Sequence, residues 1–186
     1  MISTKTLIFN ISIIFLIVFI AVLFYIFSFI LAFGGGFYFF PNPPSPEIKH
    51  GEFPFHLEYE IKGRKFEYED ILICDFAGYS VNEASGKQRK WKYRMASGNK
   101  RITLLITDDI EIFYTPAIND NAAAFYMGDN EKVSGITLPF PNAWHTKSFN
   151  SKKENAYIIS ADEMWEKYGL VLISWEMAKP ISNTFK

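Results

Sequence analysis

From Leu7 to Phe33 the chain runs for 27 residues without a charge, LIFNISIIFLIVFIAVLFYIFSFILAF, and only Asn10, Ser12 and Ser28 are polar. A hydrocarbon core of about 30 Å needs about 20 helical residues, so the run can cross a bilayer with some tilt. A secretory h-region is usually only about 7–15 residues long. Length therefore predicts an uncleaved signal anchor, a transmembrane helix over 7–33, although Ala32 and Gly34 are small enough for a cleavage site. Lys5 and the terminal amine are the positive charges ahead of the run, and the next basic residue is Lys49. The positive-inside rule then predicts a cytoplasmic N-terminus, residues 1–6, and an extracytoplasmic domain on a single-pass protein of the cell membrane.

Residues 34–52 read as a stalk. Phe37, Tyr38, Phe39 and Phe40 suit the headgroup region, and Pro41, Pro43, Pro44 and Pro46 favour an extended spacer. All 20 acidic residues and 18 of the 19 basic ones follow Pro46, a net charge of −2 for that part. This is not the balance of a nucleic-acid-binding protein. Cys74 is the single cysteine, so no intrachain disulfide can form. Flanked as ILICDF, it reads as a small buried hydrophobe.

Residues 53–186 form the predicted domain. Phe53, Phe55, Leu57, Tyr59 and Ile61 alternate with polar residues, and Phe66 and Tyr68 resume the pattern after Gly63. A turn at Lys62-Gly63 would set Tyr59 against Phe66, Leu57 against Tyr68 and Glu60 against Lys65, but would also oppose Glu58 and Glu67. Ile71–Phe76, the segment around Trp91, Ile102–Ile106 and Ile110–Tyr114 complete six strands. Residues 116–155 lose periodicity and are expected to pack irregularly with short strands. Ser160-Ala-Asp-Glu163 is a capping box for a short helix with Met164, Trp165 and Tyr168 on its apolar side, closed by Gly169. Leu170–Met177 returns as a strand. The class is α+β: a transmembrane helix, then a β-dominated antiparallel meander or partly closed barrel with one short C-terminal helix.

Seven basic and no acidic residues lie between Ala84 and Thr107, and six acidic and no basic ones between Asp108 and Glu131. One reading makes Lys90, Lys92 and Arg94 a patch for anionic lipid or wall polymer. The other has Asp108-Asp109 close a hairpin that lays the acidic strand beside the basic one. The first keeps Trp91 and Tyr93 nearby for stacking; in the second, alternation turns both toward the core. Trp144, in PFPNAWH, is the aromatic left free for a ligand. Ser97-Gly-Asn-Lys100 has S-x-x-K spacing, but Gly and Asn make it a turn rather than a helix start. Asp120, Asp129 and Glu131 with Asn119, Asn121 and Asn130 are oxygen-rich yet lack a calcium-loop pattern. His50, His56 and His145 are too scattered for metal-ligand spacing. No catalytic residue, metal or cofactor is therefore assigned.

With GEFPFHLEYE, DILIC, GKQRKWKYRMASGNKRI, FYMGD and IISADEMWEKYGLVLISWE in view, Gly51 to Lys186 resembles an uncharacterised family of small single-pass membrane-anchored proteins of Gram-positive bacteria. The resemblance implies the topology and transfers no site residues. The function expected is a membrane-tethered binding or interaction module. Its partners would be the bilayer through 7–33 and anionic lipid, wall polymer or another membrane protein at the domain. The alternative is a cell-surface hydrolase or transferase with dispersed acids such as Asp75, Glu83 or Asp109.

Overall fold

Lys62 and Gly63 both take positive φ, 48° and 82°, as a two-residue I′ hairpin turn demands. The turn sets the register: Tyr59 opposes Phe66, Leu57 opposes Tyr68, Glu60 opposes Lys65 and Glu58 opposes Glu67. The Tyr59 and Phe66 rings stack with centroids 5.2 Å apart.

The computed structural model of the chain describes residues 4–30, 41–82, 86–129, 139–147 and 156–186. In order they form α1 (Thr4–Ile30), β1 (His50–Ile61), β2 (Arg64–Asn82), β3 (Gly86–Met95), β4 (Ile102–Ile106) and β5 (Ile110–Tyr114). Then come α2 (Asp120–Tyr126), β6 (Ala143–Lys147), β7 (Ala156–Ile159), α3 (Ala161–Tyr168) and β8 (Leu170–Met177). The chain divides into two units, Met1–Pro43 with Tyr79–Gln88, and Pro44–Gly78 with Arg89–Lys186.

In the first unit α1 is apolar on every side, and its side chains from Ser12 to Ile30 are exposed. A helix of that composition needs an apolar surround, and this one is long enough to cross a membrane.

The second unit is built on two antiparallel sheets of four strands, in the orders β3-β2-β1-β8 and β4-β5-β6-β7. Their buried faces share one apolar cluster. Phe53, Leu57, Leu72 and Trp91 enter it from the first sheet, and Ile102, Ile112 and Tyr114 from the second. Each such side chain stabilises the fold by about 2 kcal/mol through burial. Tyr114 meets Trp175 of β8 across the sheets, ring centroids 4.9 Å apart. The α+β class holds, with the strands curled around this core.

The structure changes four local expectations. Phe66–Tyr68 and Ile71–Phe76 are one strand, because the β1 ladder continues unbroken from Ile61↔Arg64 to His50↔Asp75 through the polar stretch. Residues 120–126, expected to be irregular, form α2, whose N-cap Asn119 accepts from the Asn121 N–H at 2.9 Å. Three alanines then carry the turn that the surrounding Asn and Asp obscured. In α3 the cap forms as expected: Ser160 Oγ accepts from the Glu163 N–H at 3.2 Å, and Gly169 closes the helix at φ 64°. Trp165, however, is 58 % exposed while Met164 is fully buried, since adjacent helical residues lie about 100° apart on the wheel. Fourth, the end of the Pro-rich stretch is part of the folded unit. Ser45 and Lys186 exchange backbone hydrogen bonds of 2.7 and 3.0 Å, and the Glu47 N–H donates to Thr184 O at 2.9 Å. Within 116–155, residues 130–138 and 148–155 lie outside the described residues.

Candidate functional site

Alternation along β1 sends Phe53, Phe55 and Leu57 into the core and turns Pro54 and His56 to the outer face. His56 is opposed by Glu69 on β2 and by Glu176 on β8. Neighbouring strands lie about 4.8 Å apart, so two carboxylate side chains flank one imidazole on backbones about 10 Å apart. Over this row is a groove of about 690 Å³, lined also by Asp70 and by the apolar Pro54, Ile71, Ala96 and Ala178. Its walls are fixed by the backbone: the Ala178 N–H donates to Pro54 O and the Ala96 N–H to Ile71 O, both at 2.9 Å.

Asp70 is the most heavily engaged polar group of the groove. It accepts the Ser97 hydroxyl, the Ile71 N–H at 2.8 Å, the Ser97 N–H at 3.1 Å and the Tyr68 hydroxyl at 3.2 Å. Partial burial alone would raise its pKa, but these bonds favour the charged form and together hold it below the usual value. Ser97 is thereby consumed in pinning the turn after β3, where the Gly98 N–H donates to Met95 O at 3.0 Å. The S-x-x-K spacing is confirmed as a turn. Nε2 of His56 is buried without a hydrogen-bond partner among the described residues.

Six residues along β1, His50 repeats the theme. Its Nδ1 lies 2.7 Å from Asp75 Oδ1 and its Nε2 lies 3.4 Å from Glu52 Oε1. The Asp75 hydrogen bond, then that of Glu52, raises the His50 pKa.

Lys90, Lys92 and Arg94 are exposed along one face of β3, an edge strand of the first sheet, while Trp91 and Met95 on the other face are buried. Asp108-Asp109 do close the β4–β5 turn, but β5 pairs with β4 and β6 and not with β3. The hairpin therefore leaves this basic row uncancelled. Two other basic residues of the same run do find acids: Arg89 grips Asp129, and Arg101 grips Glu111. Trp144 lies in β6 of the second sheet, opposed by Phe113 and Ile158, half-buried, with its indole nitrogen buried and without a partner among the described residues. The structure thus groups Lys90, Lys92 and Arg94 and sets Trp144 on a different sheet.

The oxygen-rich set of the irregular region is dispersed. Asp129 is bound by Arg89 and by the Trp91 indole N–H, and Asn119 caps α2, while Asn130 and Glu131 lie outside the described residues. Among the described residues no group of three or more His, Cys, Asp or Glu side chains is placed to hold a metal ion. Of the dispersed acids, Asp75 pairs with His50 and Asp109 sits in the β4–β5 turn, while Glu83 lies outside the described residues. Cys74 is fully buried, and burial first, then the Asp75 charge, pushes its thiol up to about 12. A thiol so placed is no nucleophile.

Sequence reasoning missed the groove. Its polar residues come from β1, β2 and β8 and share no local motif; only the His56–Glu69 pairing follows from the hairpin register. Compared with protein-family models, with curated proteins and with solved structures, the chain matches none.

Proposed function

We propose that the chain is a membrane-tethered binding module, with α1 as an uncleaved anchor, the N-terminus in the cytoplasm and the sheet domain outside the cell. The groove over His56 carries this reading: a concave site of about 690 Å³ with apolar walls and a few convergent polar groups has the size and make-up of a ligand pocket. The uncharged run that begins at Leu7 supports the tether, and the resemblance to single-pass proteins of Gram-positive bacteria supports the topology. The rival hydrolase reading needs a groove acid tuned upward to donate a proton. Asp70 is held in the opposite direction. Ala96→Trp, which fills the groove, tests the module. Crosslinking in intact membranes followed by mass spectrometry should show partner or ligand adducts that this variant loses; adducts unchanged by it would overturn the groove as the binding site.

A second contact surface is favoured by the exposed row Lys90, Lys92 and Arg94. Among the described residues none of the three has a charged partner, and the row suits anionic lipid or wall polymer. Lysines on an edge strand also guard against edge-to-edge association. Replacing all three with Gln separates the roles. Weaker binding to anionic liposomes or wall fragments supports the contact surface, whereas unchanged binding with increased self-association leaves edge protection alone.

A further inference from the structure

We propose that the row Lys90, Lys92 and Arg94 docks the sheet domain on the anionic phospholipid headgroups of the bilayer that holds α1. The inference rests on the reading of α1 as an anchor, and it commits the second contact surface to one partner.

Three observations carry it. First, the row lies beside the point where the chain enters the folded unit. The Arg89 guanidinium donates to Pro44 O at 3.1 Å, and Pro44 is where that unit begins. Arg94, the far member of the row, lies within about 17 Å of Arg89 along β3. The strand ends while still near the start of β1: the Ala96 N–H donates to Ile71 O, and Ile71 opposes Pro54. The Lys62-Gly63 turn, by contrast, stands beyond the far end of the 12-residue β1, about 36 Å away. Second, the connection is short. Residues 31–43 join the end of α1 to Pro44, and even fully extended they reach no more than about 50 Å. The row is thereby held against the membrane at an effective concentration on the order of millimolar. Third, the charge at this end is left positive. Its acids are engaged: Asp75 and Glu52 with His50, Glu47 with Lys186 and Asp129 with Arg89. Lys90, Lys92 and Arg94 are exposed on the outer face of β3, with no charged partner among the described residues.

Each Lys or Arg brought to an anionic surface favours the bound state about five-fold, so three together favour it about a hundred-fold. That attraction would hold a free domain only weakly. With α1 in the same bilayer it has only to bias a domain already beside the surface, as a basic patch does for a protein held by one lipid chain. A wall polymer offers the same charge match but gains nothing from a row beside the tether. Edge protection by lysines is equally indifferent to that placement. The placement favours the bilayer.

The test is lysine footprinting of the full chain in lipid nanodiscs. N-hydroxysuccinimidyl acetate is applied to discs of phosphatidylcholine alone and to discs with a third of the lipid replaced by phosphatidylglycerol, and acetylation is read by mass spectrometry. Lys90 and Lys92 are expected to react about five-fold or more slowly in the anionic discs. Lys62 and Lys65, exposed at the β1–β2 turn, should react alike in both. Salt at about 0.5 M, where the screening length falls to about 4 Å, should restore the rates. Arg94→Gln should return part of the lost reactivity without altering the melting temperature. Equal rates for Lys90 and Lys92 in discs that both retain the chain overturn the inference while the anchor stands. Slowing that extends equally to Lys62 and Lys65 overturns it as well, because it reports surface charge without docking. Protection that appears only when wall fragments are added to the neutral discs also overturns it and assigns the row to wall polymer. A chain retained by neither kind of disc removes the anchor, and the inference with it.

Discussion

Trp91 donates its indole N–H to the Asp129 carboxylate at 2.7 Å, tying the buried face of β3 to the turn that follows α2. The same carboxylate accepts Arg89 Nε at 2.8 Å on both oxygens. Arg89 in turn donates to Pro44 O at 3.1 Å and lies 4.2 Å from the centre of the Phe185 ring. One acid thus organises the strand, the start of the folded unit and the C-terminal tail. Asp129→Asn removes the charge while keeping the shape. With 8 % of the Asp129 side chain and 20 % of the Arg89 side chain exposed, the expected loss is about 2–3 kcal/mol, somewhat under that of a fully buried pair. Denaturant unfolding of the full chain in detergent measures it, and an unchanged midpoint would remove Asp129 from this role.

Gly128 precedes that acid at φ 70°, and a Cβ there would lie 2.6 Å from Ile181 O. Gly128→Ala therefore combines left-handed strain with a backbone clash, together about 2 kcal/mol or more. Because the Ile181 N–H donates to Tyr126 O at 2.9 Å, the strain falls on the tail. Limited proteolysis should then cut the variant within residues 178–186 faster than the parent; equal rates would show that the tail is held independently of Gly128.

Cys74 offers a clean probe of the core. Its thiol is fully buried and raised to about 12, so maleimide at pH 7.5 should label the folded chain negligibly and the denatured chain completely. Raised in the folded state, this group leaves stability intact below its ordinary value of 9.0 and erodes it as pH climbs toward 12. Rapid labelling without denaturant would contradict the packing of β2.

Acid works through Asp70. Its folded pKa lies below the ordinary 3.8, so its stabilisation is complete above that value and is lost as pH falls through the folded one. The stability gap between the parent and Asp70→Asn should accordingly be present at pH 6 and shrink below about pH 4. His50 has the reverse sign: raised in the folded state, it stabilises below its ordinary 6.5 and ceases to do so as pH rises through the folded value. Thermal melts of the parent, Asp70→Asn and His50→Gln from pH 3 to 8 separate the two, and pH-independent gaps would refute both assignments.

The anchor is tested by what leaves the membrane. Deleting residues 1–33 should move the protein from the carbonate-washed membrane fraction to the supernatant, while the intact chain stays with the membrane. A mature protein that begins near Gly35 would instead make the apolar run a removable leader.

How much of this was legible in the chain varies by element. The apolar length of α1, the Lys62-Gly63 turn with its register, the Ser160 cap with Gly169, and the burial of Cys74 and Trp91 were all readable, because each depends on composition or spacing within a few residues. α2 was obscured because its Asn and Asp residues resemble a loop until the three alanines are weighed as a turn of helix. The basic and acidic runs suggested mutual cancellation. In the folded chain β3 and β5 belong to different sheets, and contact follows strand order in space rather than order in sequence.

By itself, then, the sequence determined an anchor-length helix, a β-rich unit behind it, and which side of β1 and β3 is apolar, since those properties reside in local periodicity. Only the tertiary structure decided that β8 returns beside β1, that Glu176 joins Glu69 across His56, and that the tail closes over Pro46. Those pairings join distant segments whose only common interest is burying one core, and no local pattern specifies which distant strand will serve.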